Sequence, residues 1–256
     1  GDCFSTPELV EIVHDSYSGF QNELKSPSIK LADNHHLLEL FHGPTLAFKD
    51  FAMQVIAKMF AKTLPKKNLK INIVTATSGD TGSAAVEAFK AVSSVNLYVL
   101  YPHERISEIQ RMQMTTSNAN NIKVFAVKGT FDDCQSIVKG LFANKDLVRD
   151  VNLSGVNSIN WARILVQIVY YFSAFYQMKD FSERKLSFSV PTGNFGDAYA
   201  GYLSKKMGLP INKIIVATNK NDILDRVFKT GIYKSSGVSK TLSPSMDIQV
   251  ASNFER

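Results

Sequence analysis

The order of short apolar runs and helical patterns constrains the fold of this chain most strongly. Runs rich in β-branched residues alternate with longer segments whose apolar residues recur at helical spacing. Such alternation predicts an α/β fold with mainly parallel sheets and helices on both faces. The predicted strands cover residues 36–42, 69–75, 95–101, 122–127, 185–190 and 214–217. The predicted helices cover residues 6–20, 50–64, 83–91, 131–144, 160–178 and a segment ending at Met207.

Local residue choices place some ends of these elements. Pro65 is expected to stop the second helix, and Ser107 with Gln110 is typical of a capping box at a helix start. Trp161, inside a strongly apolar helical segment, is expected in the core.

Composition narrows the functional classes. The 256 residues are 45% apolar and 20% charged, which is typical of a globular protein with a sizeable core. The longest apolar-rich run, residues 164–175, is too short to cross a membrane. The net charge of +6 is spread over isolated basic residues, so nucleic acid is not an expected partner. Neither the cysteines, Cys3 and Cys134, nor the histidines have metal-ligand spacing; reduced thiols in a cytoplasmic protein are expected.

Two glycine turns follow predicted strands and precede helical patterns. They are TSGDTG at residues 77–82 and GNFGD at residues 193–197. The carboxyl ends of parallel strands and the amino ends of helices are where anionic ligands bind in such folds. Neither turn has the Walker A or Gly-x-Gly-x-x-Gly spacing, so a nucleotide is not indicated. For each of these two segments, the alternative to an anion-binding site is a tight turn that binds no ligand.

Lys49 is the candidate nucleophile. It stands between Phe48 and Phe51, and burial among such residues disfavours the charged ammonium form. Neutral lysine amines attack carbonyl groups. With the two glycine turns, Lys49 suggests a Schiff-base lysine and an aldehyde cofactor that carries a phosphate. Asp50 is a candidate partner for a nearby backbone amide, and His42 is either a general base or a half-buried histidine with a backbone partner.

Several motifs, in order, resemble the threonine synthase family. They are LFHGPTLAFKD at residues 40–50, TATSGDTG at 75–82, FDDCQSIV at 131–138, NSIN at 157–160, PTGNFGD at 191–197 and MDIQV at 246–250. The resemblance runs from residue 38 to residue 256 and points to the longer bacterial and fungal type. It implies the tryptophan-synthase-β fold (fold type II), with two open, mainly parallel twisted sheets flanked by helices. Family members are longer at both ends, so an internal piece is expected.

The resemblance also implies roles for individual residues. Lys49 would hold pyridoxal 5′-phosphate as a Schiff base and then transfer protons as base and acid. Phe48 would lie near the cofactor ring, and Asp80 near its 3′-oxygen. The cofactor phosphate would be held by the loop residues Gly193, Asn194, Phe195, Gly196 and Asp197.

On the substrate side, the resemblance assigns two groups of residues. Ser78, Gly79 and Thr81 would bind the substrate carboxylate, and Ser158, Asn160 and Arg163 the substrate phosphate. Arginine suits phosphate because its planar fork makes paired hydrogen bonds; the alternative is that Arg163 pairs with an acidic residue on a helix face. Residues 102–107 (PHERIS) depart from the family pattern P-x-G-K-I-S, with Glu104 for glycine and Arg105 for lysine.

The implied reaction is the conversion of O-phospho-L-homoserine to L-threonine, with loss of phosphate and addition of water, in a monomer or homodimer. The expected organisation is an N-terminal helical region (1–40), a first α/β domain with the lysine (41–150) and a second with the phosphate loop (151–256). Two alternatives stay open. One is a related pyridoxal-phosphate phospho-lyase that yields a keto acid, and the other is a non-catalytic α/β ligand-binding domain.

Overall fold

The computed structural model describes residues 3–178 and 185–256, and its contacts divide the chain into two units. Unit 1 consists of Gly1–Lys25 and Leu40–Asn157, and unit 2 of Ser26–Glu39 and Ser158–Arg256. No helix in the described part of the chain is long and apolar enough to span a membrane.

The elements are numbered in chain order. The helices are α1 Thr6–Tyr17, α2 Lys49–Lys66, α3 Asp80–Phe89, α4 Glu108–Thr115, α5 Phe131–Ala143, α6 Lys145–Asp150, α7 Trp161–Gln177, α8 Gly196–Lys206 and α9 Ile223–Thr230. The strands are β1 Ser28–Ala32, β2 His35–Leu38, β3 Ile71–Ala76, β4 Val95–Pro102, β5 Ile122–Val127, β6 Leu153–Ser154, β7 Leu186–Pro191 and β8 Ile211–Ala217.

A four-stranded parallel sheet forms the centre of unit 1. Its order is β5-β4-β3-β6. Strand β4 pairs with one edge of β3, and β6 pairs with the opposite edge of β3. Strands β3 and β4 lie inside the sheet, and both are largely buried, as expected for parallel strands covered on both faces.

Helices cover the two faces of this sheet. On one face, Val74 and Leu100 pack against Cys134 and Val138 of α5. On the other face lies α3, where a Cβ built on Gly82 meets the Val99 side chain at 3.0 Å. Successive side chains of a strand point to opposite faces, so each strand contributes to both layers of the core.

Unit 2 contains a parallel pair, β7-β8, and an antiparallel hairpin, β1-β2. Helix α7 carries the hairpin: Ser26 Oγ donates to Ser173 Oγ at 2.9 Å, and the Ser28 N–H donates to Gln177 Oε1 at 2.9 Å. Helices α7 and α8 pack together, and a Cβ on Gly201 of α8 would meet the Tyr171 ring at 2.7 Å.

The predicted α/β fold class is confirmed: each unit has a parallel sheet with neighbouring helices, and unit 2 also has an antiparallel hairpin. The expected bounds 1–40, 41–150 and 151–256, given as approximate for domains that can interleave, stay a prediction; the two units above are themselves interleaved along the chain. Residues 26–39 form the hairpin that pairs with itself and bonds to α7 of unit 2, while β6 at Leu153–Ser154 pairs with β3 of unit 1.

Three local predictions are wrong. Trp161 is 44% exposed rather than in the core, because α7 begins with this residue and its ring lies over the surface near Arg256 and Tyr199. Pro65 does not stop α2, which continues to Lys66 and ends before Asn68, where φ is 51°. The strand expected at 36–42 ends at Leu38, because β1 begins at Ser28, the residue that pairs with Leu38.

Candidate functional site

The turn before α2 fixes the position of Lys49. Asp50, fully buried, accepts hydrogen bonds from the Thr45 N–H at 2.8 Å and from Thr45 Oγ1 at 2.7 Å. Burial raises the pKa of Asp50, and the bonds from Thr45 oppose that rise. The expected role of Asp50 as a partner for a nearby amide is therefore observed, and the bonds hold Lys49 at the first position of α2.

Lys49 forms an ion pair inside unit 1. Its Nζ donates to Asp80 Oδ2 at 2.8 Å, and the two side chains are 11% and 24% exposed. The Nζ also lies 4.6 Å from the centre of the Phe48 ring. The sequence predicts a costly charge at Lys49; the structure shows that Asp80 offsets this cost with a charged hydrogen bond.

Asp80 begins α3, directly after the glycine turn that follows β3. Thr77 Oγ1 organises the turn by accepting the N–H groups of Gly79 at 2.9 Å and Gly82 at 2.8 Å. Gly79 has φ of 132°, which side chains of L-residues rarely tolerate, and a Cβ there would lie 2.2 Å from Gln110. Ser78, Gly79, Asp80 and Thr81 are thus held together at the carboxyl end of β3.

A glutamine from α4 completes this group. Gln110 Nε2 donates to Asp80 Oδ1, while Gln110 Oε1 accepts from the Ser107 N–H at 3.3 Å and Ser107 Oγ at 3.0 Å. The capping box predicted from Ser107 and Gln110 is confirmed. Its second contact, to Asp80, was missed because the residues are 30 positions apart and no local pattern joins them.

In unit 2, the loop after β7 is fixed by its own side chains. Thr192 Oγ1 accepts the Phe195 N–H at 3.1 Å and donates to Asp197 Oδ1. The same Asp197 oxygen accepts the Ala198 N–H at 2.8 Å, and the Asp197 carbonyl accepts from Tyr171 Oη at 2.8 Å. The carboxylate is therefore directed into the loop, at the amino end of α8.

The C-terminal segment braces the same loop. The Asn253 N–H donates to the Asn194 carbonyl at 3.1 Å, and Ser252 Oγ donates to Asn194 Oδ1 at 3.1 Å. A Cβ on Gly193 would lie 3.0 Å from Ile248 Cδ1, so glycine permits this close approach of the chain. No pattern in the sequence predicted these contacts, which join segments far apart in the chain.

Phe195 adopts a left-handed backbone conformation, with φ of 66°, immediately before α8. It packs against the buried cluster of Ile223, Leu224 and Ala251, and the centres of the Phe195 and Phe254 rings are 5.3 Å apart. This packing holds the strained residue in place, so its side chain serves the loop's conformation.

The expected phosphate-binding residues of α7 lie at its amino end. Asn160 Oδ1 caps the helix by accepting the Ala162 N–H at 3.0 Å, and Ser158 Oγ lies 3.1 Å from Ser252 Oγ. Arg163 is only 2% exposed, and burial lowers its pKa to about 10. Because Asn160 caps the helix and Ser158 contacts the C-terminal segment, and because Arg163 is buried, a phosphate role for these three residues remains a prediction.

His42 lies beside Phe41, with ring centres 4.9 Å apart, and its carbonyl accepts the Gln21 N–H at 2.9 Å. The role of His42 as a base stays a prediction. Among residues 3–178 and 185–256, no cluster of three or more His, Cys, Asp or Glu side chains is arranged to hold a metal ion.

Each unit presents a group of residues with its own chemistry. Unit 1 presents a mostly buried primary amine beside a carboxylate, which fits a reactive aldehyde. Unit 2 presents a glycine-containing loop at a helix amino end, where backbone N–H groups favour a phosphate, and its Asp197 carboxylate is bonded to Thr192 and to the Ala198 N–H. The residues present therefore fit pyridoxal phosphate.

Comparisons with known proteins agree with pyridoxal phosphate as the cofactor. A family model described as pyridoxal-phosphate dependent enzyme matches residues 25–256. Threonine synthase from Pseudomonas aeruginosa is 50% identical over 249 residues, covering 97% of this chain and 53% of that protein. Threonine synthase from Saccharomyces cerevisiae is 48% identical over 263 residues, covering 97% of this chain and 51% of that protein.

A solved structure of pyridoxal-phosphate-bound threonine synthase from Brucella melitensis superposes with a TM-score of 0.89 at 48% identity. The match covers 97% of this chain and 53% of that one. This chain spans about half the length of the curated relatives that it matches. The resemblance predicted from the motifs is confirmed, and the chain belongs to the family of pyridoxal-phosphate-dependent enzymes.

Proposed function

We propose that this chain is the cofactor-binding part of a threonine synthase, which converts O-phospho-L-homoserine and water into L-threonine and phosphate. The supporting observation is the 50% identity to a threonine synthase over nearly the whole chain. Lys49, which lies in the motif at residues 40–50, donates a hydrogen bond to Asp80. That relative is about twice as long as this chain.

Lys49 is the proposed attachment point for pyridoxal phosphate. When bound, this cofactor supplies an electron sink for the charge left when a proton is removed from the substrate Cα. The Lys49 Nζ is a primary amine at a fixed helix start, as attachment to an aldehyde requires.

Lys49 is also the proposed group that moves the proton at the substrate Cα. A base must accept that proton and later return it. Asp80 Oδ2, at 2.8 Å, stabilises Nζ while it carries the additional proton.

Phe48 places an aromatic face 4.6 Å from Nζ and is proposed to lie near the cofactor ring. Asp80 is proposed to lie near the cofactor's 3′-oxygen.

Residues 193–197 are proposed to hold the cofactor phosphate. Backbone N–H groups at the amino end of α8 and the partial positive charge of that helix end favour an anion. Gly193 and Gly196 let the backbone approach, Asn194 and Phe195 set the loop conformation, and Asp197 braces it through Thr192.

Two further groups are proposed for the substrate. The turn at Ser78, Gly79 and Thr81 binds its carboxylate; because the Gly79 N–H is donated to Thr77, Gly79 serves mainly by its conformation. Ser158, Asn160 and Arg163, at the start of α7, attract its phosphate. Arg163 supplies positive charge to that helix end even from a buried position.

The direct experiment incubates the protein with pyridoxal phosphate and O-phospho-L-homoserine and identifies the amino-acid product by mass spectrometry. In water enriched in ¹⁸O, we expect L-threonine with one heavy oxygen, together with one free phosphate per turnover. A keto acid as the main product contradicts the proposal and indicates a phospho-lyase. Lys49→Ala is the matched control and is expected to give neither product.

We also propose a cytoplasmic location, supported by two free cysteines, exposed Cys3 and buried Cys134. A monomer or a homodimer is the proposed assembly, and light scattering of the purified protein distinguishes the two.

A further inference from the structure

We propose that Gln110 is a positioning residue that holds the Asp80 carboxylate on Lys49. This inference rests on the proposed function, in which Lys49 carries the cofactor and moves the proton. Gln110 lies in α4, outside the motifs that carry the family resemblance, and the juxtaposition of its carboxamide with Asp80 is the observation that carries the inference.

Both ends of the Gln110 carboxamide are engaged. Oε1 accepts from the Ser107 N–H and Ser107 Oγ, at 3.3 and 3.0 Å, which fixes the direction of the amide. Nε2 is then directed at Asp80 Oδ1. The backbone is held as well, since Ser83 Oγ of α3 donates to the Gln110 carbonyl at 3.3 Å. The side chain therefore has a single orientation, set by the start of its own helix.

Asp80 uses its two oxygens on two different donors. Oδ1 accepts from Gln110 and Oδ2 from Lys49, at 2.8 Å for the latter. A carboxylate held at both oxygens has a fixed rotation about its last bond, so the oxygen facing Lys49 stays in place. Gly79 makes room for this arrangement, because any Cβ at that position would collide with the Gln110 carboxamide.

The Gln110→Met variant removes this contact without adding a charge. Methionine keeps the length of the side chain but offers no donor to Asp80. It also gives up the bonds to Ser107, so loss of the cap needs its own control. A lysine whose carboxylate partner is held less firmly loses part of the stabilisation of its ammonium form.

The readout is competitive labelling of the cofactor-free protein with acetic anhydride, quantified at the Lys49 peptide by mass spectrometry across pH. Only the neutral amine reacts, so the pH of half-maximal labelling reports how strongly Asp80 holds Lys49 in its charged form. Lys62, which pairs with Glu11, is the internal reference. This measurement uses neither the cofactor nor turnover.

Two variants serve as matched controls. Met112→Ala changes an exposed residue of the same helix, and Ser107→Ala removes the capping hydroxyl while the bond from the Ser107 N–H to Gln110 is kept. Circular dichroism checks that each variant keeps its helices. Met112→Ala is expected to label Lys49 at the wild-type pH, and Ser107→Ala at a pH between those of the wild type and Gln110→Met.

We expect Gln110→Met to shift half-maximal labelling of Lys49 downward by about one pH unit, which is about a 10-fold faster labelling at a fixed pH below the midpoint. An unchanged midpoint, or a shift equal to that of Ser107→Ala, overturns the proposal and leaves Gln110 as a helix cap. If the midpoint shifts but wild-type Lys49 does not bind pyridoxal phosphate, the positioning role holds and the proposed function fails.

Discussion

Lys49 and Asp80 are 31 positions apart in the chain, yet Lys49 Nζ lies 2.8 Å from Asp80 Oδ2. Each is the first residue of a helix, α2 and α3 respectively, and these helices pack against each other in unit 1. The pairing lets unit 1 keep a lysine that is mostly buried without leaving its charge uncompensated.

The first prediction concerns the strength of this pair. Asp80→Asn keeps the side-chain shape but removes the charge that compensates Lys49, as well as the acceptor for a charged hydrogen bond. We expect the free energy of unfolding of the cofactor-free protein to fall by about 2 kcal/mol, the scale of a charged hydrogen bond. Urea denaturation followed by circular dichroism measures it.

The matched control for that variant is Asp225→Asn. Asp225 also pairs with a lysine, Lys229, at 2.9 Å, but both side chains are well exposed. Exposed pairs contribute little, so the control is expected to change the free energy of unfolding by less than about 0.5 kcal/mol. Equal effects of the two variants contradict a special role for the buried pair.

The second prediction uses two glycines of unit 1. Gly79→Ala places a methyl group 2.2 Å from Gln110 on a backbone with φ of 132°. Strain and collision together are expected to lower the free energy of unfolding by about 2–4 kcal/mol. Gly140, inside α5, has no atom within 4 Å of an added Cβ. Gly140→Ala is therefore expected to stabilise the protein by up to about 1 kcal/mol. The same sign for both variants contradicts the turn geometry.

The third prediction is a pH dependence that originates at Asp50. Burial raises the folded-state pKa above the value of 3.8, so the folded state binds more protons than the unfolded state just above that pH. Stability from this group is therefore greatest at low pH and declines as pH rises through the raised pKa. Asp50→Asn does not titrate, so the wild-type advantage over it should shrink from pH 4 to pH 7 in urea denaturation. An advantage that grows with pH contradicts the assignment.

The fourth prediction concerns the phosphate loop. Thr192→Val preserves shape but removes the oxygen that accepts the Phe195 N–H and donates to Asp197. We expect the dissociation constant for pyridoxal phosphate to rise about 10-fold, the effect of about 1.4 kcal/mol. Absorbance titration measures this constant.

Thr192→Val and Asp197→Asn combined should weaken binding by less than the product of their separate effects, because both substitutions break the same contact.

Thr230→Val is the control for the loop variants. Thr230 Oγ1 also donates one hydrogen bond and accepts another: it donates to the Arg226 carbonyl and accepts the Ile232 N–H, but it lies at the exposed end of α9. Cofactor affinity should be unchanged by it. A similar loss of affinity in this variant, or strict additivity in the Thr192–Asp197 cycle, contradicts a local role for the loop.

Much of the fold follows from local sequence because local rules decide it. The strand at Ile122–Val127 and the capping box at Ser107 are placed by apolar pattern and cap chemistry alone. The β1-β2 hairpin was only partly predicted, since Ser28–Ala32 is mostly exposed and lacks the alternating pattern of a half-buried strand. Trp161 was misplaced because helical spacing does not tell which face of α7 meets solvent.

The site was predictable where chemistry is local and not where it is distant. Lys49 and the two glycine turns stand out in the sequence, since few residue types suit an amine nucleophile or a close backbone approach. The contacts that hold them, from Gln110 to Asp80 and from Asn253 to Asn194, join residues 30 and 59 positions apart. Only the folded chain brings these partners together, so no spacing in the sequence indicates them.

The central claim is that Lys49 carries pyridoxal phosphate, and peptide mapping tests it most directly. The protein is incubated with the cofactor, reduced with borohydride and digested, and the pyridoxyl-bearing lysine is identified by mass spectrometry. The account predicts one stoichiometric label at Lys49, which is absent in Lys49→Ala. A label on another lysine, or stoichiometric labelling that persists in Lys49→Ala, contradicts it.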